Sequence, residues 1–374
     1  MKLKKAALAA GMTAAAAVCA KKGSSFYKNQ YSAMKKVERL DENIYMMDYC
    51  LDYGLDELLE KGAKNVGEML AFVSKKTTFG LNVFKSGNGG FACTTFDAFN
   101  KNGDHLLGRN FDYKSAPCMV VWTHPENGYS SVAVADCNFM LYGTKNKPVS
   151  PLNRLQTLLA PYCCMDGVNE KGLAIAILEL KTKATSQNTG KKDISTTVAI
   201  RGVLDKCATV EEAIEFFRSY DMHDAFFCCY HYQITDSTGK SVIIEYVNNE
   251  MRLFCPEKRA GAQAPFQFAA NFFLSQDGDN SKGFGYDRAE KVEAALSKSG
   301  GILEEAEAVR LLDNVHLNYR HEKYPWQVIT LWSVVYNSNA LTATLAAGLN
   351  YEKVYSFSVN QPLKALHADP AAAK

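Results

Sequence analysis

Cys93 comes just after a glycine-rich stretch, Ser86-Gly87-Asn88-Gly89-Gly90, from which only Phe91 and Ala92 separate it, and leads into a strand-like run from Thr94 to Phe99. A second such run, Leu106 to Tyr113, comes after Lys101-Asn102-Gly103-Asp104. Asn-Gly between two runs of this kind is a strong hairpin signal. Taking Asn102 and Gly103 as a two-residue turn sets Asp112 opposite Cys93, with Cβ atoms about 4.5–5.5 Å apart. The same register sets Arg109 opposite Phe96, on the other face from Cys93 unless a bulge re-aims it. A cysteine at a strand start, after a loose and accessible linker, is well placed to become a new N-terminus once the bond between Ala92 and Cys93 is cut. Its own α-amine, with a pKa of roughly 7.7–8.0, can then take the proton of a thiol near about 8.5, and no histidine is required. Asp112 would bind the amine, and a nearby arginine would favour the thiolate.

Other chemistries find little support. The seven histidines are scattered, and H-E-x-x-H, G-x-S-x-G and G-x-x-x-x-G-K-[ST] are all missing. Gly87 to Ala92 can be forced onto a dinucleotide fingerprint, but no helix follows it. Eleven cysteines, irregularly spaced and with two adjacent pairs, Cys163-Cys164 and Cys228-Cys229, do not look like the disulfide framework of a small secreted domain. No C-x-x-C motif suggests zinc or a dithiol redox centre. Lys+Arg 42 against Asp+Glu 40 gives a formal charge of +2, so no global basic field points to nucleic acid. With 374 residues, 47% hydrophobic and 22% charged, the chain is an ordinary globular protein able to bury a large core.

The elements that must carry Cys93 read as α+β. Beyond the hairpin, strands are expected at Tyr162 to Val168, Leu173 to Leu180, Tyr230 to Thr235, Ser241 to Val247, Met251 to Phe254, Phe266 to Phe272, Ile329 to Tyr336 and Ala340 to Ala346. Thr209-Val210-Glu211-Glu212 is a capping box that opens a helix, and Asp287 to Leu296 and Leu303 to Leu312 carry helical periodicity. Strand runs interspersed with helices suggest two packed antiparallel sheets with helices outside. Ahead of Cys93, residues Tyr27 to Lys76 read as helical, with Met46, Leu51, Leu55, Leu58 and Leu59 near helical spacing. Residues 1–20 combine Lys2, Lys4 and Lys5 with an Ala-rich stretch ending in small residues, the pattern of a signal peptide or N-terminal membrane anchor, and so predict export. The expected organisation is that leader, a helical prosegment over 21–92 and a catalytic domain over 93–374.

Several stretches, in order along the chain, resemble the choloylglycine hydrolase family and its relatives. These are cysteine N-terminal nucleophile (Ntn) hydrolases that include bile salt hydrolase, penicillin V acylase, acid ceramidase and N-acylethanolamine acid amidase. The stretches are Cys93-Thr94-Thr95, Gly108-Arg109-Asn110-Phe111-Asp112-Tyr113, Met165 to Leu173 around Asp166-Gly167-Val168-Asn169-Glu170, Ala270-Asn271, Tyr286-Asp287-Arg288 and Thr330 to Tyr336. The resemblance implies a four-layer αββα sandwich without cofactor or metal. It implies Cys93 as nucleophile flanked by Arg109 and Asp112, an oxyanion hole from the Asn169 backbone N–H and the Asn271 side chain, and a further active-site arginine in Arg288. The long segment before the nucleophile is similar to that of acid ceramidase and N-acylethanolamine acid amidase, where it stays bound after self-cleavage. This implies a small-molecule acyl amide substrate such as an N-acylethanolamine or an N-acyl amino acid. Conjugated bile salts or penicillin V are the alternative; acyl transfer, or an exported lipid-binding protein with a silent site, is a further one. A membrane-surface contact and a homo-oligomer stay open as partners.

Overall fold

The computed structural model describes residues 32, 34–50, 52–77, 92–114, 116–140, 148–149, 154–320 and 327–368. The leader-like start and the glycine-rich stretch before Cys93 lie outside the described residues.

Two large sheets form the centre of the molecule. The first has nine strands in the order Val37–Arg39, Ile44–Tyr49, Cys118–Thr123, Ser131–Asp136, Cys164–Asn169, Ala174–Leu180, Cys229–Thr235, Ser241–Val247 and Glu250–Phe254. The second runs Phe268–Ala269, Ala92–Phe99, His105–Lys114, Gln327–Asn337, Thr342–Ala347, Val354–Ser358 and Ala365–Ala368, with Asn318–Arg320 paired to its long central strand. Several strands, among them Ser131–Asp136, Ala174–Leu180 and Ser241–Val247, are buried along their whole length, so covered faces replace simple alternation in their sequences. One core cluster joins the facing sides of both sheets, with Val120, Val134 and Val168 from the first and Leu107, Phe111, Trp332 and Val334 from the second.

Helices cover the outer faces. Tyr286–Ser299 and Glu305–Asn314 pack Val292, Leu296 and Leu312 onto Phe96, Leu106 and Val335 of the eight-stranded sheet. Thr196–Lys206 and Val210–Arg218 cover the nine-stranded sheet. Gly167 makes the close approach of the first of these possible: a Cβ there would stand 2.9 Å from Leu204 Cδ1. The Val210 helix is capped as its sequence predicts, with Thr209 Oγ1 accepting from the Glu212 N–H at 3.2 Å. The result is the four-layer αββα sandwich.

The segment ahead of Cys93 differs from the helical expectation. It has helices at Leu55–Lys61 and Val66–Thr77, but Val37–Arg39 and Ile44–Tyr49 are strands, and Ile44–Tyr49 pairs in parallel with Cys118–Thr123. Ile-Tyr-Met-Met-Asp-Tyr is buried throughout, and such a run, apolar but for Asp48, suits a covered strand as well as a helix. Two polar contacts fix the segment more deeply. The Tyr53 hydroxyl donates to Asp205, which is ion-paired with buried Arg201, and the Tyr162 hydroxyl donates to Tyr53 O at 3.0 Å.

Candidate active site

The hairpin sets the geometry around Cys93, and its turn is one residue longer than the Asn-Gly reading. The Asn100 N–H donates to Asp104 O and the Gly103 N–H to Asn100 O, with Gly103 at φ +86°. This is a three-residue loop with a left-handed glycine closing it. The extra residue shifts every pair by one: Cys93 lies opposite Phe111, Thr95 opposite Arg109 and Ala92 opposite Asp112. The expected pairing of Cys93 with Asp112 is therefore corrected, and so is the face of Arg109. Because side chains alternate, Arg109 now shares the inter-sheet face with Cys93, and Asn110 and Asp112 turn to the helix layer.

Arg109 is fully buried. Its Nη1 donates to Cys93 Sγ at 3.4 Å and to Ile177 O at 3.0 Å, its Nε donates to Asp166 Oδ2 at 2.5 Å, and its guanidinium lies 4.8 Å from the Phe111 ring centroid. Asp166 also accepts from Trp332 Nε1 at 3.0 Å and from the Tyr336 hydroxyl. Sequence reasoning quoted Asp166 and the strand from Thr330 to Tyr336 without giving either a part in the site. The structure makes them the support of Arg109. A signal was present in one buried arginine needing one carboxylate, but no spacing rule links residues 57 apart.

Asp112 faces Arg288 across the outer side of the sheet, with Arg288 Nη1 to Asp112 Oδ2 at 2.7 Å and Arg288 Nε to Val315 O at 2.8 Å. Thr330 Oγ1 donates to the other oxygen of Asp112. Asp112 thus stands opposite Ala92. Asn271 arrives from the edge. Phe268–Ala269 pairs with the Cys93 strand, and extending that register brings Asn271 level with Cys93. Its Oδ1 accepts the Cys93 backbone N–H at 3.0 Å, and its Nδ2 donates to Glu179 O at 2.8 Å.

Asn169 does not join this group. Its backbone N–H is committed to Leu173 O at 3.0 Å, and its side chain donates to Leu204 O and Cys207 O at 2.9 and 2.7 Å. The physical reason is the tight turn, which uses the Asn169 N–H to close on Leu173 O, while strand parity turns the Asn169 side chain, three residues on from Asp166, into the helix layer. The expected oxyanion donor is instead an anchor for the turn and the helix behind it. The Ala92–Cys93 bond also differs from expectation, because both residues are buried within a paired strand.

Burial pushes the Cys93 thiol up to about 12, against the downward pull of Arg109 and Arg288 and with a further push from Asp112. The thiol is therefore protonated at neutral pH. Among the described residues, no group of three or more His, Cys, Asp or Glu side chains could hold a metal ion. The ten cysteines there are free thiols, and only Cys50 and Cys255 are exposed.

Residues 93–277 match the family described as linear amide C-N hydrolases, choloylglycine hydrolase family. This region belongs to that family. Over 99 residues the chain is 34% identical to a penicillin V acylase of Pectobacterium atrosepticum, a stretch that covers 23% of this chain and 26% of that protein. The matched stretch thus spans about a quarter of that relative's length. Two mutant structures of the conjugated bile acid hydrolase of Clostridium perfringens each align over 74% of this chain and 96% and 98% of theirs, with TM-scores of 0.50 and identities of 17% and 15%. At such identities the likeness is one of fold. The sandwich brings Arg109 and Asn271 onto Cys93, pairs Asp112 with Arg288 on the other side of the same sheet, leaves Asn169 outside, and adds Asp166 behind Arg109.

Proposed function

We propose that the protein is a self-processing cysteine amidohydrolase acting on the linear amide bond of fatty-acyl amides, N-acylethanolamines and N-acyl amino acids among them. The observation that carries the amidohydrolase reading is the double hold on Cys93, with Arg109 Nη1 on its sulfur and Asn271 Oδ1 on its backbone nitrogen. In processing, Cys93 Sγ attacks the Ala92 carbonyl carbon, the Ala92–Cys93 C–N bond breaks as the nitrogen takes up a proton, and water hydrolyses the resulting thioester. The new α-amine beside Asp112 then serves as base for the thiol. In turnover the thiolate attacks the substrate carbonyl, the amine leaves after protonation by the Cys93 α-ammonium, and water releases the acid. Asn271 Nδ2 is the oxyanion donor once it leaves Glu179 O. Such a donor is worth roughly 3–4 kcal/mol.

Two features support the fatty-acyl choice. Beyond Phe111 on the Cys93 face, Tyr113 stacks on Phe139 at 5.7 Å and Phe139 meets Phe226 at 4.7 Å, an aromatic wall for an alkyl chain. The segment ahead of Cys93 is woven into the nine-stranded sheet and suits a subunit retained after cleavage. Its leader-like start makes export part of the same proposal. The names of the similar proteins favour a second reading, in which conjugated bile acids or penicillin V are the substrates. An assay panel of oleoylethanolamide, an N-oleoyl amino acid, glycine- and taurine-conjugated bile acids and penicillin V, scored by kcat/KM, decides between them. A preference of roughly tenfold or more for bile conjugates or penicillin V, about 1.4 kcal/mol, overturns the fatty-acyl assignment.

A further inference from the structure

A second set of side chains with nucleophilic potential lies outside the Cys93 site, where the loop 181–190 crosses the small parallel sheet of Lys192–Ser195 and Tyr220–His223. Ser186 Oγ is 3.1 Å from His223 Nδ1, and His223 Nε2 is 2.6 Å from Asp193 Oδ1. The His223 side chain is 4% exposed and that of Asp193 39%, whereas Ser186 is open to solvent. We propose that Ser186, His223 and Asp193 form a second nucleophilic site, at which Ser186 accepts acyl groups from activated esters.

The backbone fixes the three groups before any substrate arrives. Ser186 and His223 face each other in an isolated antiparallel bridge. On one side the Gln187 N–H donates to Met222 O at 3.0 Å and the Met222 N–H returns to Gln187 Oε1 at 2.9 Å. On the other, the Thr185 N–H donates to Asp224 Oδ2 and the Asp224 N–H to Thr185 O. The Ser186 N–H is held by Asn249 Oδ1 at 2.8 Å. On the neighbouring strand Asp193 O accepts the Ala63 N–H at 2.9 Å, which ties Asp193 to the segment ahead of Cys93.

The proton path follows from the distances. Among the described residues Asp193 is the only acceptor bonded to His223 Nε2, so that nitrogen carries the hydrogen and Nδ1 is left as the base for Ser186. In the step, the Ser186 hydroxyl proton moves to His223 Nδ1 while Oγ bonds to the acyl carbon of the ester. The acyl C–O bond breaks, and the leaving alkoxide or aryloxide takes the proton back from Nδ1. Water then splits the acyl-serine by the same exchange. The ring is used in the reverse sense from the chymotrypsin arrangement, with Nδ1 on the serine, but the roles are those of base and orienting carboxylate. The Ser186 and Gln187 N–H groups are already spent on Asn249 and Met222, so neither supplies an oxyanion donor. The site forfeits the roughly 10²–10³-fold that such a donor gives, and acylation is slow and limited to good leaving groups.

The test is labelling of the full chain with a fluorophosphonate, the phosphorus counterpart of an activated ester, in wild type and in Cys93→Ala, followed by mass mapping of the adduct. The expected result is an adduct on Ser186 in both chains, with fluoride released. Its rate falls roughly 100-fold in His223→Gln and about tenfold in Asp193→Asn, in line with general-base catalysis. Asp193→Asn keeps an acceptor for Nε2 and so decides the matter even if His223→Gln does not fold. Ser186→Ala abolishes the adduct and leaves amide hydrolysis through Cys93 unchanged. No adduct on Ser186, or adduct formation at the wild-type rate in Asp193→Asn, overturns the proposal.

Discussion

Arg109 reaches the Cys93 sulfur at 3.4 Å because one additional residue in the Asn100–Asp104 turn puts both side chains on the same face of their hairpin. With the two-residue turn the guanidinium would point to the opposite side of the sheet, and the thiol would lose its cationic neighbour. The loop closure at Gly103 therefore decides the electrostatics of a site several residue pairs away.

Arg109→Lys is expected to lower kcat/KM for amide hydrolysis by about 10²-fold, since an ammonium cannot serve Cys93, Ile177 and Asp166 together from a planar fork. Asp166→Asn acts on the fold instead. It leaves Arg109 buried without its counter-charge, and a loss of about 3–5 kcal/mol in unfolding free energy is expected. Denaturant titration of the two variants alongside the kinetics separates the effects.

Asn271 and Asn169 are expected to part company. Asn271→Ala removes the group bound to the Cys93 nitrogen and should cut kcat/KM by roughly 10²–10³-fold, together with a stability loss of about 1–3 kcal/mol from the Cys93 N–H and Glu179 O it leaves unpaired. Asn169→Ala breaks the bonds to Leu204 O and Cys207 O and strands buried carbonyls. It is expected to cost about 2–4 kcal/mol of stability while the folded fraction keeps its kcat/KM within a few-fold. Comparable kinetic losses in both would restore Asn169 to the site.

Asp136 gives the pH dependence of stability a definite sign. Burial raises its carboxyl to about 7, against hydrogen bonds from Asn138. The folded chain therefore holds this proton more tightly than the unfolded chain, whose carboxyl titrates near its ordinary value. The favourable contribution is complete below that ordinary value and is lost as pH rises towards about 7. Asp136→Asn should thus raise the unfolding free energy at pH 8 by an amount on the order of 1–3 kcal/mol, read by denaturant titration, and change little at pH 5.

Much of this arrangement was legible in the residues. Cys93 after a glycine-rich stretch, the capping box at Thr209 and the strand Ser241–Val247 all follow from local rules, and the ordered motifs carried the αββα architecture. Four features were not legible. The turn of the Cys93 hairpin depends on whether Gly103 closes a two- or a three-residue loop, and both use Asn-Gly. The strand Ile44–Tyr49 is buried at every position, and apolar at all but Asp48, because both its faces are covered, so it carries no period with which to tell strand from helix. The pairing of Arg109 with Asp166 joins separate sheets, and the fate of Asn169 hangs on the parity of its strand relative to Asp166, which no motif encodes.

Intact-mass analysis of the purified protein, with Cys93→Ala in parallel, tests the central claim most directly. The account predicts a fragment beginning at Cys93 that co-purifies with the segment containing Tyr53 and separates from it only in denaturant. It also predicts that Cys93→Ala remains a single uncut and inactive chain. A wild-type chain that stays uncut at Ala92–Cys93 yet hydrolyses amides at full rate would contradict it.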